Sequence, residues 1–487
     1  MIRNKFIYII YYYKEMLDSY YPESLSYATT QMTDFSQNQF ELLTSNSTVV
    51  NGGGGSLEIN LPINSFIDTR KFAIRFFAKT NRAFEYDSGG GAMKTCHSFL
   101  PEIFNLFSRY EVSINGVIVN QSVAQASDIQ EVKHLVSDHL ENEITYRSVL
   151  SNCGSEGIQL TNGLITGSLD EDNQAGTFEG REFILNNLLG FLGTCEPSII
   201  DSSTLGAIRI RLFTDNAVTC LLYGEQGQAP GTFSTKAAAA QVFAQNASFT
   251  LSQVSASITT LSFSSGVVEQ NIEELISKGA LTIIFENYAT FFQSDSTNNK
   301  NVRFALSVNC WNKAYAITRP LNYRTVNEIG IAQYTNRLGR LYQVPSKMYG
   351  GNRAFRYSWS VNNVLTPAFP NSPLQAYMNI THSQGDQYSM MGSNHMQSRN
   401  DFFNNSFILP LNLCLDNEPR RLSGYSSLGT NSSCYLQCTA SDNASAAGSV
   451  FGSAGNAATG GPNETMIICM FTSKLMVSAG RVISIEL

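Results

Sequence analysis

Apolar and polar residues alternate along most of the chain, and a period of two is typical of β-strands. Leu57, Ile59 and Leu61, for example, are separated by Glu58 and Asn60. Because one face of such a strand is apolar and the other polar, the pattern favours antiparallel sandwiches with one solvated face per sheet. The same alternation predicts further strands at 112–119, 208–212, 302–310, 355–361, 407–413 and 483–487.

One turn and two helices stand out among these strands. Asn115-Gly116 lies between Val112–Ile114 and Val117–Val119, and this pair between alternating apolar residues is the strongest short-range signal for a hairpin. Ser127 and Gln130 have capping-box spacing. They predict a helix of about four turns, with apolar residues on one face: Ile129, Val132, Leu135, Val136 and Leu140. A shorter helix is predicted at Val268, Ile272, Leu275 and Ile276, with Gly279 as its terminator.

Long connections interrupt the strands in both halves of the chain. Residues 216–246 and the Gly/Ala/Ser/Asn-rich tract 441–464 are predicted surface loops. Strand clusters and long loops follow each other twice, although no sequence repeat links the halves. We therefore expect an all-β chain in two parts, divided near residue 268.

Composition narrows the class of protein. Hydrophobic residues make up 43% of the 487, so a large core is expected and disorder is excluded as the main state. Charged residues make up only 15%, and the polar residues are mostly Asn, Ser, Thr and Gly. A net charge of −7 argues against a dedicated nucleic-acid binder, which needs a basic face. No apolar run is long enough for a membrane-spanning helix.

The termini and cysteines favour folding in a reducing compartment. The apolar stretch Phe6–Tyr13 is short, half tyrosine and followed by Lys14 and Glu15, which does not fit a signal peptide. It suits an arm that orders on a partner. Nine scattered cysteines do not predict a disulfide framework. Cys310, Cys414 and Cys469 are expected to be buried apolar groups, and Cys434 and Cys438 share a strand face but lie too far apart to bond.

Four sequence motifs for binding or catalysis each lack a required residue. Met93 replaces the glycine that a phosphate loop needs before its lysine at 94. Gln174 and Ala175 break a calcium-loop reading of 170–175. Leu428 stands where a nucleophile elbow over 424–428 needs glycine. Gly90 stands where a glycosidase signature after Glu85 and Asp87 needs a second Glu.

The five histidines do not form a metal-site pattern. His134 and His139 are five residues apart, which places them off a common helical face. The others are scattered, at His97, His382 and His395. We therefore predict no catalytic, cofactor-binding or metal-binding residues and no enzymatic activity.

One segment has an unusual charge. Residues 313–356 contain a single acid, Glu328, and eight basic residues: Lys313, Arg319, Arg324, Arg337, Arg340, Lys347, Arg353 and Arg356. The ordinary interpretation is pairing with acidic segments such as 128–143. The sharper interpretation is a face turned toward an anionic interior, either genome or lipid.

Three stretches carry a family resemblance. Residues 56–80, followed by 106–119, resemble the opening strands of a jelly roll. Residues 355–371, with the sequence FRYSWSVNNVLTPAFPN, resemble the aromatic strand, Asn turn and following Pro of a second one. Residues 407–438 and the C-terminal KLMVSAGRVISIEL resemble its late strands. In this order, the stretches resemble double jelly-roll major capsid proteins of tailless icosahedral DNA viruses, particularly Polinton-like viruses and virophages.

The resemblance covers residues from about 37 to the end and implies an architecture. It implies two consecutive eight-stranded antiparallel jelly rolls, at 37–268 and 269–487, behind an N-terminal arm at 1–36. It implies a major capsid protein that forms homotrimers, which act as pseudo-hexameric capsomers of an icosahedral virion assembled inside the host cell. Implied partners are neighbouring capsomers, penton proteins and minor or cement proteins, with genome or an internal membrane facing the basic segment. Loops at 216–246 and 441–464, with 128–150 and 365–400, are expected at the outer end.

Two other classes remain open at this stage. An extracellular β-sandwich lectin or adhesin would have a signal peptide, paired cysteines and an aromatic-lined cleft. The first two are missing from the sequence. A carbohydrate-active enzyme would need a converging pair of carboxylates, and no such pair is recognisable.

Overall fold

The structure of the chain is a computed structural model. It describes residues 35–43, 48–50, 55–80, 95–99, 103–120, 126–136, 181–186, 188–216, 221–225, 248–263, 266–278, 281–295, 299–320, 327–328, 355–383, 402–403, 407–414, 423–428, 433–439, 463–478 and 482–486.

Strands dominate these residues. Those before residue 264 are β1 (Phe35–Leu43), β2 (Thr48–Val50), β3 (Ser56–Asn60), β4 (Phe66–Thr80), β5 (Thr95–Phe99), β6 (Phe107–Ile114), β7 (Val117–Ile118), β8 (Arg181–Leu185), β9 (Ile199–Asp201), β10 (Ile208–Thr214), β11 (Leu221–Glu225) and β12 (Phe249–Phe263). The later ones are β13 (Leu281–Asp295), β14 (Lys300–Ala305), β15 (Trp311–Pro320), β16 (Asn327–Glu328), β17 (Arg356–Val361), β18 (Val364–Asn371), β19 (Ile408–Asn412), β20 (Ser433–Thr439), β21 (Asn463–Ser478) and β22 (Val482–Glu486).

Helices in the described part of the chain are short. A 3-10 helix covers Ile103–Leu106, and α-helices cover Ala126–Val136, Phe191–Thr194, Ser202–Leu205, Val267–Ser277 and Pro373–Ser383. No helix in these residues is long and apolar enough to cross a membrane.

The strands before residue 264 form a sandwich of two antiparallel sheets. One sheet has the order β1-β12-β4-β8, with β2 added to β12 and β9 added to β4, and the other has the order β3-β10-β6-β7. The rings of Phe76 on β4 and Phe107 on β6 meet edge to face between the sheets, with centroids 5.8 Å apart. This inner face buries the apolar half of each alternating strand, as in β10, where Ile208, Ile210 and Leu212 are buried.

The strands after residue 280 repeat this topology. Their sheets have the orders β13-β21-β15-β19, with β22 added to β21, and β14-β20-β17-β18. If the eight main strands of each half are counted in chain order, both halves have one sheet ordered 1-8-3-6 and another ordered 2-7-4-5. Both halves are therefore jelly rolls with the same strand order. The predicted all-β double jelly roll is confirmed.

The two ends of each jelly roll differ. At one end, here called the turn end, tight connections such as 115–116 and 362–363 join neighbouring strands. The opposite, loop end carries the long connections, which include 81–106, 119–180, 321–355 and 440–462. At the loop end, β11 pairs with β5 and also, in parallel, with β16 of the second half. The loop ends of the two jelly rolls therefore lie side by side.

Both tight hairpins have the turn that the sequence favours. Asn115 and Gly116 have φ values of 48° and 82°, and Asn362 and Asn363 have 50° and 64°. Two consecutive positive φ values define a type I′ turn, which matches the twist of a hairpin and suits Asn and Gly. The hairpin predicted at Asn115-Gly116 is confirmed.

The predicted helices exist with different boundaries. The first begins at Ala126, so Ser127 lies inside its first turn and is buried rather than exposed as a cap. The described helix ends at Val136, and Leu140 lies outside the described residues. The second, Val267–Ser277, buries Val268 and Ile272 as predicted.

Three details of the strand predictions are wrong. β14 ends at Ala305, because residues 306–310 cross from one sheet to the other. Cys310 and Cys414 therefore lie beyond strand ends and are only half-buried, whereas Cys469 is buried as predicted. β17 is buried on both faces, because Ser358 and Ser360 on its predicted polar face are buried as well.

Candidate functional site

Among the described residues, the feature that bears most on function is the contact between the two jelly rolls. The outer face of the β13-β21-β15 sheet, here called the covered face, does not point to solvent. Its residues are buried and mostly apolar: Tyr288 on β13, Ile468 and Met470 on β21, and Tyr315 and Ile317 on β15. The helix Ala126–Val136 of the first jelly roll contacts this face through Asp128 and Lys133.

The first jelly roll also caps the free edge of β13. Glu196 and Ile284 exchange two backbone hydrogen bonds of 2.7 and 2.9 Å. The backbone N–H of Glu286 donates to Thr194 Oγ1 at 2.9 Å. The rings of Phe191 and Phe285 meet edge to face with centroids 5.4 Å apart. Residues 191–196 therefore satisfy backbone groups that an edge strand would otherwise expose.

A buried ion cluster joins the two jelly rolls. The side chain of Arg319 on β15 is fully buried and donates to both carboxylate oxygens of Asp128, at 3.0 and 3.2 Å. It also donates to Glu464 on β21 at 3.1 Å. Forked guanidinium–carboxylate contacts of this kind are strong and directional. Because two acids share one base in the interior, removal of the base would leave two carboxylates without their counter-charge.

A second polar cluster lies on the same face. Lys133 donates to Glu286 and to the hydroxyl of Tyr288, both at 3.1 Å, and the Tyr288 hydroxyl donates to Glu286. Burial by itself would raise the pKa of Glu286, but the charge of Lys133 and these hydrogen bonds outweigh it and lower the pKa. Burial and the nearby Glu286 charge raise the pKa of Tyr288 well above its usual value. Glu286 is thus held as a carboxylate at the contact.

These contacts explain part of the basic segment 313–356. Arg319 is paired with Asp128, which is the kind of internal pairing that the ordinary interpretation predicts. Arg356 donates to the carbonyl of Phe355 at 2.8 Å. Lys313 lies on β15, where burial lowers its pKa. The other five basic residues, at 324, 337, 340, 347 and 353, lie outside the described residues.

The first jelly roll has an equivalent face, which no described part of the chain covers in the same way. On the outer face of β1-β12-β4-β8, here called the open face, Arg75 on β4 pairs with Glu41 and Glu182. All three side chains are 41–55% exposed. Strand β4 is the third strand of its jelly roll, as β15 is of the second. Both faces therefore carry an arginine between two acids, but one cluster is buried and the other exposed.

The helix of the second jelly roll also has an exposed apolar side. Pro373–Ser383 follows the fifth strand of its jelly roll, as Ala126–Val136 does in the first. Ala376 and Ile380 are buried, and Tyr377 packs on Phe402. Leu374 and Met378, one turn apart on the same helix side, remain 45% and 50% exposed.

The sequence motifs weighed for chemistry find no support in the described residues. In the 424–428 segment, Tyr425 pairs with Trp311 and the buried Ser427 hydroxyl bonds to Val308, so both groups hold the turn end together. Among the described residues, no three His, Cys, Asp or Glu side chains are placed to hold a metal. The segments 85–94 and 170–175 and all five histidine side chains lie outside the description.

A surface groove bears on the lectin alternative. It has a volume of about 450 Å³ and lies on the β14-β20 surface, lined by Asn301, Arg303, Tyr435 and Gln437. Its aromatic ring is engaged within the protein, because Arg303 lies over Tyr435 at 5.8 Å and the Tyr435 hydroxyl donates to Asn363. Phe304 also lines the groove but is buried, and Tyr435 is half-buried, so the groove differs from the aromatic-lined cleft expected of a lectin.

Comparison with known proteins identifies the fold. No protein-family model and no curated protein matches the sequence. Among solved structures, VP54 of PBCV-1 fitted into a reconstruction of the virophage Sputnik matches at 12% identity and a TM-score of 0.52, over 94% of this chain and 98% of that one. A PBCV-1 virus capsid chain matches at 11% identity and 0.51, over 94% and 98%.

A third match has the same strength. A chain from the structure of the Sputnik virophage matches at 11% identity and a TM-score of 0.51, over 93% of this chain and 88% of that one. At identities this low, the three structural matches show a shared fold and nothing further. The resemblance to double jelly-roll capsid proteins, predicted from three sequence stretches, is therefore confirmed at the level of the fold.

Proposed function

We propose that this protein is a major capsid protein, a structural and non-enzymatic building block of an icosahedral virion shell. The observation that carries the proposal is the repeated topology, in which two jelly rolls with identical strand order stand side by side with their loop ends together. Three solved structures from virus capsids share this fold over nearly the whole chain. The protein then resides in the virion, after assembly inside the host cell.

The two unequal faces support a homotrimer. Within one chain, the first jelly roll and its Ala126–Val136 helix cover the outer face of the second. The open face and the Pro373–Ser383 helix are the corresponding elements, and in the described part of the chain both keep exposed side chains. If the helix of one copy covers the open face of the next, the same contact repeats between all jelly rolls. Three chains then close a ring of six, which is a pseudo-hexameric capsomer.

A helix–helix contact supports the same ring. Within the chain, the helix Ala126–Val136 touches the helix Pro373–Ser383. In a closed ring of six jelly rolls, each helix has an equivalent neighbour on both sides. The exposed side of Pro373–Ser383, with Leu374 and Met378, would then meet the next copy.

The proposal also covers the domain bounds, the orientation in the shell and the partners. The chain is proposed to divide into an arm at 1–36, a first jelly roll at 37–268 and a second at 269–487. The loop end is assigned to the outside of the shell, because it carries the long connections that tolerate variation. Proposed partners are neighbouring capsomers, penton proteins and minor or cement proteins. The basic residues at 324, 337, 340, 347 and 353 belong to the 321–355 connection at this same loop end, so the placement disfavours the interpretation in which the basic segment faces genome or an internal membrane.

The mass of the purified protein and its appearance in the electron microscope test the proposal. We expect a stable particle of three times the 53.6 kDa chain mass, with a hexagonal outline in negative stain. A monodisperse monomer that binds glycans would contradict the proposal and restore the lectin alternative.

Reversal of charge at Arg337 and Arg340 should leave both genome packaging and trimer formation unchanged, whereas a selective loss of packaging would place the loop end inside the shell.

A further inference from the structure

Exposed apolar residues gather at the turn end of the molecule. Seven of the twelve large apolar side chains that are exposed in the described residues lie there: Phe35, Ile63, Val117, Ile118, Val364, Leu365 and Leu428. Phe35 starts β1 opposite Phe263, the last residue of β12. Leu428 follows Ser427, which bonds to the 306–310 connection. A concentration of exposed apolar side chains at one end of a protein favours a contact site there.

The two hairpins repeat the same exposed pair. Val117 and Ile118 follow the Asn115-Gly116 turn and are both 42% exposed. Val364 and Leu365 follow the Asn362-Asn363 turn and are 64% and 43% exposed. Both pairs open an edge strand, since β7 and β18 end their sheets. The pairs therefore occupy equivalent positions in the two jelly rolls, at the same end of the molecule.

An acidic helix lies at the same end of the molecule. The Val267–Ser277 helix links the turn ends of the two jelly rolls, and it buries Val268 and Ile272 against Phe66 and Ile199. Its opposite side exposes Glu269, Glu273 and Glu274, with Lys278 as the base that pairs with Glu274. An anionic lipid surface is a poor occupant for a turn end with this charge. An apolar segment with positive charge at its ends suits it better.

The chain itself contains such a segment. Residues 1–34 precede β1 and so leave the body at the turn end, the end that also carries the two hairpins and the acidic helix. Residues 6–13 read FIYIIYYY and contain no charge. Arg3, Lys5 and Lys14 flank this run, and residues 1–14 contain no acid. The segment thus matches the turn end in both apolar character and charge.

We propose that the turn end is a docking surface for the N-terminal arm of the same chain. The run 6–13 packs against the hairpin residues Val117, Ile118, Val364 and Leu365, and the flanking basic residues lie beside Glu269 and Glu273. The 21 residues from 14 to 34 span about 25 Å as a flexible chain and at most about 70 Å when extended. Tethering holds the run at an effective concentration of about millimolar, which favours the chain's own surface.

A photo-crosslinking experiment on the full chain tests this. A benzophenone amino acid replaces Tyr8, the purified protein is irradiated, and the products are separated by mass and mapped by peptide mass spectrometry. We expect crosslinks to peptides containing 115–118 or 362–365, in a band of single-chain mass. Crosslinks to any other surface, or a band of twice the chain mass as the main product, would overturn the proposal.

Two variants sharpen the result. Val364→Ser with Leu365→Ser should lower the yield of crosslinks to the second hairpin about fivefold. Phe292→Ser, an equally exposed apolar residue on β13 at the loop end, should leave the yield unchanged. Equal losses in both variants would contradict the docking site. Trimer mass, measured in the same samples, reports separately on the proposed capsid function, because the arm contact does not depend on trimer formation.

Discussion

The covered face and the open face occupy the same position in their jelly rolls and have opposite surroundings. On the covered face, Arg319 lies between Asp128 and Glu464 with its side chain fully buried. On the open face, Arg75 lies between Glu41 and Glu182 with its side chain 45% exposed. The difference lies in what covers each face, since one of the Arg319 partners comes from the other jelly roll. Under the proposed ring of six jelly rolls, the buried face inside one chain indicates the contact that its exposed counterpart would receive from a second chain.

The largest expected effect is the loss of Arg319. The substitution Arg319→Met leaves Asp128 and Glu464 buried without their base, so we expect a loss of about 3–5 kcal/mol in the free energy of unfolding. The matched substitution Arg75→Met removes an exposed pair and should cost under about 1 kcal/mol. Urea denaturation of both variants measures the difference. Equal losses would show that burial does not distinguish the two clusters.

The next effect concerns the proposed contact between copies. Leu374→Ser together with Met378→Ser removes two large apolar side chains from the exposed side of the Pro373–Ser383 helix. Burial of each such side chain is worth about 1.5–3 kcal/mol, so we expect the trimer to dissociate at protein concentrations at least about a hundredfold higher than for the parent. Sedimentation at several concentrations measures this.

A control separates this effect from misfolding. The thermal midpoint of the variant chain in its monomeric form should stay close to that of the parent, because both side chains are exposed there. Phe292→Ser, elsewhere on the surface, should leave the association unchanged. An unchanged trimer in the Leu374 and Met378 variant would place the contact on another surface.

The smallest effect is a pH dependence of the covered face. Glu286 has a lowered pKa in the folded chain, so its stabilising contribution is present above its unfolded value near 4.5 and is lost as the pH falls through the folded value. Lys133→Met removes the main cause of the lowering. We expect that variant to lose about 1–3 kcal/mol at neutral pH and to show a smaller further loss on acidification than the parent. Denaturation at pH 7 and at pH 3 to 4 compares the two; parallel curves would contradict this role for Lys133.

The local elements of this fold could be predicted, because they depend on near neighbours in the sequence. The alternation at Ile208, Ile210 and Leu212 identified a half-buried strand, and Asn115-Gly116 identified a type I′ hairpin. Errors arose where a neighbouring strand changed the environment. Ser358 and Ser360 are buried in a middle strand of their sheet despite their polar side chains. Cys310 lies in a crossing between sheets that alternation alone cannot reveal.

The contact between the jelly rolls was beyond prediction from local pattern. Asp128 and Arg319 are 191 residues apart, and nothing in their immediate sequences marks them as partners. The excess of basic residues in 313–356 indicated that pairing was needed, and the acidic stretch from 128 was the segment expected to supply it. Which residue paired, and that the pair would be buried, depended on the packing of the whole chain.

The most direct test asks what covers the open face. A benzophenone amino acid in place of Met378, in a mixture of unlabelled and isotope-labelled chains, reports which surface the helix touches and from which copy. We expect crosslinks from Met378 to peptides of β1, β4 or β12. These crosslinks should join labelled to unlabelled chains, in a product of twice the chain mass. Crosslinks confined to single chains, or directed to a different surface of the second copy, would contradict the proposed ring of six jelly rolls.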